Sequence, residues 1–242
     1  MRTRWWLLLL LASTFLSVLG TLAISFGHLI IAVHSSSNAD RAIEGAEQRR
    51  VAVHEAGHAV VAAYLHGEDE ILHVDVRTRV VDGQYGSMHD RDHNRLDTAD
   101  DIMRSVAIFM GGRAADKFVN GAPTNGATSD LAHANDLIWT MHLSNGLGGS
   151  LMVRSRGEAP SAVVAQVEAD INASNTCAEA IVRANSATIV MLADRIMREE
   201  ERSGARVLSG DAFRAFLLDH PLVALPDATA ATLMSGCHRP QH

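Results

Sequence analysis

The sequence predicts a mainly α-helical domain with one small β-hairpin or sheet, preceded by a single N-terminal transmembrane helix. Three observations carry that prediction: a long uncharged stretch near the start, several later segments with apolar residues at helical spacing, and one segment that alternates apolar and polar residues.

Residues 5–33 hold no Asp, Glu, Lys or Arg, which exceeds the approximately 20 residues that a membrane-spanning helix needs. A cleaved signal peptide would share the basic start at Arg2 and Arg4 and the small residues near positions 20–23. The apolar run continues through Leu29-Ile30-Ile31, which favours a retained anchor. Residues 1–34 are therefore expected to hold the chain to a membrane as a single pass. The side of the membrane is left open, because Arg2 and Arg4 precede the stretch and Arg41, Arg49 and Arg50 follow it. Residues 35–47 read as a polar tether, residues 48–218 as the folded domain, and residues 219–242 as an irregular tail.

Within the domain, the apolar run over residues 51–65 reads as a buried helix. Residues 71–81 alternate apolar and polar side chains and are rich in β-branched types, which predicts a strand. Asp82-Gly83 is a turn signal, and residues 84–88 would return as the second strand of a hairpin. The charged segment that follows, at about residues 90–101, together with His89 and His93, reads as a solvated loop. Helical spacing of Ile102, Val106, Phe109, Met110 and Ala114 predicts a helix over about 98–118. Gly111-Gly112 lies inside it. Each helix-interior glycine costs up to about 1 kcal/mol, so the pair implies close backbone packing against another helix. After a loop at 120–126, Thr128 or Ser129 is expected to cap a helix running to about Leu143. Two further helical stretches are expected, at about 160–203 and 210–218.

Composition excludes some functions. The net charge is −7, with Lys117 the single lysine against 20 arginines. No basic stripe is available for nucleic acid, and no G-x-x-x-x-G-K-[ST] segment is present to cradle a nucleotide phosphate. Cys177 and Cys237 lack zinc-site spacing and fit either a disulfide or two free thiols.

The chemistry sits in His54-Glu55-Ala56-Gly57-His58. On a helix, residues four apart stand on one face, so two imidazoles can share one ion with Glu55 beside them. A chain with 13 His and 11 Glu would contain H-E-x-x-H by chance roughly 0.03 times. A buried helix penalises unpaired polar groups by several kcal/mol, so a metal is the natural partner, and zinc fits two imidazoles and a carboxylate. Catalytic zinc usually takes three protein ligands and keeps one open position. Asp100, Asp101, Asp130, His133 and Asp136 are candidates for the third. Asp130 has a modest advantage as a carboxylate in the first turn of a helix after a glycine-containing loop.

Residues 51–62 around this motif resemble the zinc helix of the membrane-bound FtsH-type zinc proteases. Gly111-Gly112-Arg113-Ala114-Ala115-Asp116 is similar to that family's Gly-Gly-Arg-Ala-Ala-Glu helix, and Thr124-Asn125-Gly126-Ala127-Thr128-Ser129-Asp130-Leu131 to its third-ligand segment. Order and spacing also match, and the likeness covers about residues 48–216. The resemblance implies a helical zinc-protease domain with the small sheet at its cleft, His54, His58 and Asp130 as zinc ligands, and Glu55 as the catalytic carboxylate. It also implies that Gly86 and Ser87, on the second strand, border the substrate. The expected function is zinc-dependent endopeptidase cleavage of unfolded or flexible protein segments, by a zinc-activated water with Glu55 as general base.

Family members carry an ATPase module and form hexameric rings, whereas these 242 residues leave no room for that module. Hydrolysis is therefore expected to be ATP-independent on its own, with a homo-oligomer or a separate ATPase as the expected partner. The rival reading is a membrane-tethered adaptor or decoy that binds an FtsH-type complex without catalysis. The intact ligand set and Glu55 argue against it, since pure binding requires none of them.

Overall fold

The computed structural model describes residues 42–81, 84–90, 96–230, 232–235 and 237. The expected membrane span, most of the tether, the Asp82-Gly83 turn and His93 lie outside these residues. Among the described residues no helix is long and apolar enough to cross a membrane. The chain divides into two compact units, Met1–Ala42 with Val80–Gly83, and Ile43–Arg79 with Gln84–His242. Of the first unit only Ala42, Val80 and Val81 are described. The second holds the site.

Helix α1, Gly45–Leu65, is the centre of the second unit. Ala52, Val53 and every residue from Glu55 to Leu65 are buried. A helix apolar on all sides belongs in a core, where each enclosed Val or Leu contributes about 1.5–3 kcal/mol. It ends where His66 and Gly67 donate their N–H groups back to Ala62 and Ala63 and Gly67 takes a φ of 105°, a left-handed conformation that suits glycine.

Helix α2, Ala99–Phe118, packs along α1 and begins at a capping box between Thr98 and Asp101. The Gly111-Gly112 pair does bring two backbones together. A Cβ on Gly57 would lie 2.5 Å from the Gly111 carbonyl oxygen, and one on Gly111 would lie 2.8 Å from that of Gly57. Helix α3, Thr128–Leu143, follows a 3₁₀ turn at Asn125–Ala127. Thr128 was expected as a possible cap but lies inside the helix, its hydroxyl donating to the Asn125 carbonyl at 2.7 Å. Thr124 instead accepts from the Gly126 N–H.

The helical stretch expected over 160–203 is three things. Helix α4, Ser161–Ala184, breaks at Asn185, and α5, Ser186–Met197, follows. The chain then turns back through strands β3, Glu201–Arg202, and β4, Ala205–Ser209. The charged run 198–202 has no apolar face to bury, and Ser203 and Gly204 at positive φ close a tight turn. These strands extend the hairpin of β1, Ile71–Val81, and β2, Gln84–Asp90, into a four-stranded sheet of order β2-β1-β4-β3. Strand β4 runs antiparallel to β1, with His73 opposite Ser209 and Arg77 opposite Ala205. Strand β2 reaches Asp90, so His89 stands on a strand and not in the loop expected for it.

Helix α6, Gly210–Asp219, and the short α7, Asp227–Ala230, complete the order. The tail is irregular but docked. Leu222 and Leu225 are buried, the Leu225 N–H donates to the Tyr64 hydroxyl at 2.9 Å, and buried Asn185 exchanges hydrogen bonds with Val223. Cys177 on α4 is disulfide-bonded to Cys237 in the tail.

Candidate metal centre

One turn of α1 separates His54 from His58, and both rings lean toward the start of α3. Their Nε2 atoms are 3.1 Å apart, and Asp130 Oδ2 stands 3.2 Å from the first and 3.4 Å from the second. The three donors thus form a nearly equilateral triangle. Tetrahedral ligands about 2.0–2.1 Å from zinc are roughly 3.3–3.4 Å from one another, so this donor set has the dimensions of a zinc site.

The far side of each ring is held. His54 Nδ1 lies 3.0 Å from Asp116 Oδ2, and His58 Nδ1 donates to the Ile108 carbonyl at 2.8 Å. These bonds set the tautomers that leave Nε2 facing the shared point. Asp116 is 1% exposed, and its other oxygen accepts from the Asn120 amide at 2.8 Å. The helix pair explains the clearance: a Cβ on Gly112 would stand 2.4 Å from both Nε2 atoms, so glycine keeps the α2 side of the triangle open.

Electrostatics agree with a cation site. Burial works to raise the Asp130 pKa, but hydrogen bonds to His54 and His58 outweigh it and hold the carboxyl well below its usual range. Burial likewise works to lower His54, and the bonds to Asp116 and Asp130 overcome it, pushing the ring well above its ordinary value. Buried Asp116 and half-buried Asp130 around two imidazoles therefore await positive charge, which a proton on His54 supplies when no metal is bound.

Glu55 is 6% exposed beside this triangle. Its pKa is pushed up to about 7 by burial, against the opposing pull of His58 and His54. That is the range in which a carboxylate both takes and returns a proton at neutral pH.

Gly86 sits against Glu55. A Cβ there would lie 2.7 Å from the Asp75 carbonyl oxygen and 2.9 Å from Glu55 Cγ. Ser87 turns elsewhere: its hydroxyl donates to Asp75 and lies 2.8 Å from His89 Nε2.

The other carboxylates weighed as third ligand have other partners. Asp101 caps α2, Asp100 accepts from Ser235, and Asp136 pairs with Arg156. His133 is exposed, its ring 5.4 Å from Phe109. At the level of sequence Asp116 has no role beyond its place in the segment 111–116. An acid four residues after Gly112 lies on the same face of α2, which is the signal that could have found it.

The profile of peptidase family M41 matches residues 41–202. The chain is 37% identical over 143 residues to ATP-dependent zinc metalloprotease FtsH 1 of Sorangium cellulosum, an alignment covering 57% of this chain and 22% of that protein. It is 34% identical over 119 residues to FtsH 3 of Sphaerobacter thermophilus, covering 49% and 24%, and 32% identical over 121 residues to FtsH of Oenococcus oeni, covering 50% and 17%. The matched part is thus under a quarter of the length of these relatives. Since the matching profile spans well over half of the chain, the chain belongs to peptidase family M41, among the FtsH-type zinc metalloproteases.

Proposed function

We propose that this chain is a zinc-dependent endopeptidase acting on unfolded or flexible protein segments, with His54, His58 and Asp130 as metal ligands and Glu55 as general base. The reading rests above all on the convergence of His54 Nε2, His58 Nε2 and Asp130 Oδ2 beside a buried carboxylate. Zinc, when bound, supplies a Lewis acid that brings the pKa of water to about 7 and polarises a peptide carbonyl. Glu55 takes the proton of the attacking water and returns it to the leaving amine. Asp116 and the Ile108 carbonyl hold the two rings in register throughout.

Strand β2 lies at the edge of the sheet, and Gly86 brings its backbone against Glu55. An extended substrate adding to that edge by main-chain hydrogen bonds would pass the carboxylate, and such binding reads backbone more than side chains. Broad specificity for unfolded chains follows. The relatives are named as ATP-dependent, whereas the 242 residues here contain no phosphate-binding loop. In the same proposal, cleavage of already unfolded protein requires no ATP, and a separate ATPase or an oligomeric ring serves folded substrates. Residues 1–34 anchor the domain to a membrane in the same proposal, and release of the full chain by a carbonate wash would remove that part.

The test is cleavage of casein by the full chain in detergent without ATP, beside its zinc content. Glu55→Gln keeps zinc and loses hydrolysis by at least about a hundredfold, as expected for removal of a general base. His58→Ala loses both. Undiminished hydrolysis by Glu55→Gln would sink the assignment, and absence of hydrolysis in the zinc-loaded wild type would favour an adaptor.

A further inference from the structure

A second set of ligand-type side chains lies on the β1–β2 hairpin. His73 and Asp75 are two apart on β1, so strand alternation sends both to the same face. His89 on β2 joins them across the hairpin, its ring stacked on that of His73 with centroids 4.3 Å apart and planes at 22°. One ligand atom from each of the three lies within 4.8 Å of the others. Two ligands of one zinc are at most about 4.2 Å apart, so the set comes onto an ion when the two rings turn out of their stack to aim a nitrogen each at a common point. Asp75 is 7% exposed, while His73 is half-buried and His89 exposed. The set therefore has a fixed anion at its base and an open mouth for an ion to enter.

We propose that His73, Asp75 and His89 form a second binding site for a divalent transition metal ion, zinc in the first instance, separate from the His54–His58–Asp130 set. Two imidazole nitrogens and one carboxylate match zinc, copper or nickel and disfavour calcium or magnesium, which take oxygen ligands. Ser87 bridges Asp75 and His89 by hydrogen bonds; an ion there takes over the link and ties the edge strand to β1 more firmly. Resting on the peptidase reading, an ion at this position acts on the strand proposed to receive substrate. Excess zinc therefore raises KM for casein fragments more than it lowers kcat.

Binding is measured first, independently of activity. The full chain in detergent, stripped with chelator, is titrated with zinc by calorimetry, and metal is counted after dialysis. Wild type binds one more equivalent than His89→Ala, and His73→Ala behaves like His89→Ala. His58→Ala keeps the second equivalent, and Asp130→Asn replaces it if that variant does not fold. A one-equivalent difference supports the site even when no proteolysis is found, so its fate is separable from that of the peptidase reading. Equal stoichiometry and affinity, within threefold, in wild type and His89→Ala overturn it.

Discussion

Two adjacent glycines on α2 do different work, and only one touches the chemistry. Gly111 faces the Gly57 backbone, whereas the missing Cβ of Gly112 would stand 2.4 Å from Nε2 of both His54 and His58. In an ordinary exposed helix, Gly to Ala stabilises by up to about 1 kcal/mol. At Gly112 the added methyl occupies the space that an ion shared by the two rings requires. Gly112→Ala is therefore expected to reduce bound zinc to below about a tenth of the wild-type level in atomic absorption after dialysis. Its helical circular dichroism should persist. Gly111→Ala should do the reverse, holding zinc while losing about 1–3 kcal/mol in denaturant melts as the two helices are forced apart. Full zinc occupancy in Gly112→Ala would remove the steric argument. The sequence made the histidines legible because an i, i+4 pair needs only one helix to be placed. It signalled close packing at the glycine pair but could not divide the roles. Asp130 stood among several first-turn acids because a cap and a ligand look alike until helices from distant segments meet.

At the scale of elements, local periodicity located α1, α2, α3 and the hairpin with little error, since each buries a face that its own spacing reveals. The region after α5 departs from the expected helix for the opposite reason. Strand β4 is five residues long and owes its conformation to pairing with β1 across more than 120 residues, which no window of local pattern contains. The tail shows the same limit: its residues look irregular alone, but buried Leu222 and Leu225 pack on the domain. The Cys177–Cys237 disulfide, with a sequence separation of 60, fastens that tail to α4. Closing a loop of this length contributes up to about 4 kcal/mol in the chain-entropy account. Cys177→Ser is expected to lower the unfolding free energy by about 2–4 kcal/mol in urea and leave zinc stoichiometry unchanged, because neither cysteine lies on an element bearing His54, His58 or Asp130. Equal stability of oxidised and reduced wild type would show that the tail holds without its bond.

For the whole molecule, Glu55 subtracts stability when no metal is bound, and the size of that subtraction follows pH. Glu55 has a folded-state pKa of about 7 against an ordinary value of 4.5, with burial as the main cause. Between those two values the folded chain binds more protons than the unfolded one, so stability falls as pH rises. The loss is absent below about pH 4.5 and complete above about pH 7. A shift of this size corresponds to roughly 3 kcal/mol, a large fraction of the 5–15 kcal/mol that holds a typical domain together. Gln at this position carries no charge to desolvate. The metal-free Glu55→Gln chain is therefore expected to be more stable than metal-free wild type at pH 8 by up to about 3 kcal/mol in urea unfolding. That gap should close toward pH 4.5, and taking the difference between the two chains cancels the titration of groups they share. Zinc stabilises both chains by mass action, so the variant should gain stability and lose hydrolysis at once. A gap that is constant with pH would mean that Glu55 ionises as freely in the fold as in the unfolded chain. The poise of Glu55 near neutrality in the metal-free fold would then have to be abandoned.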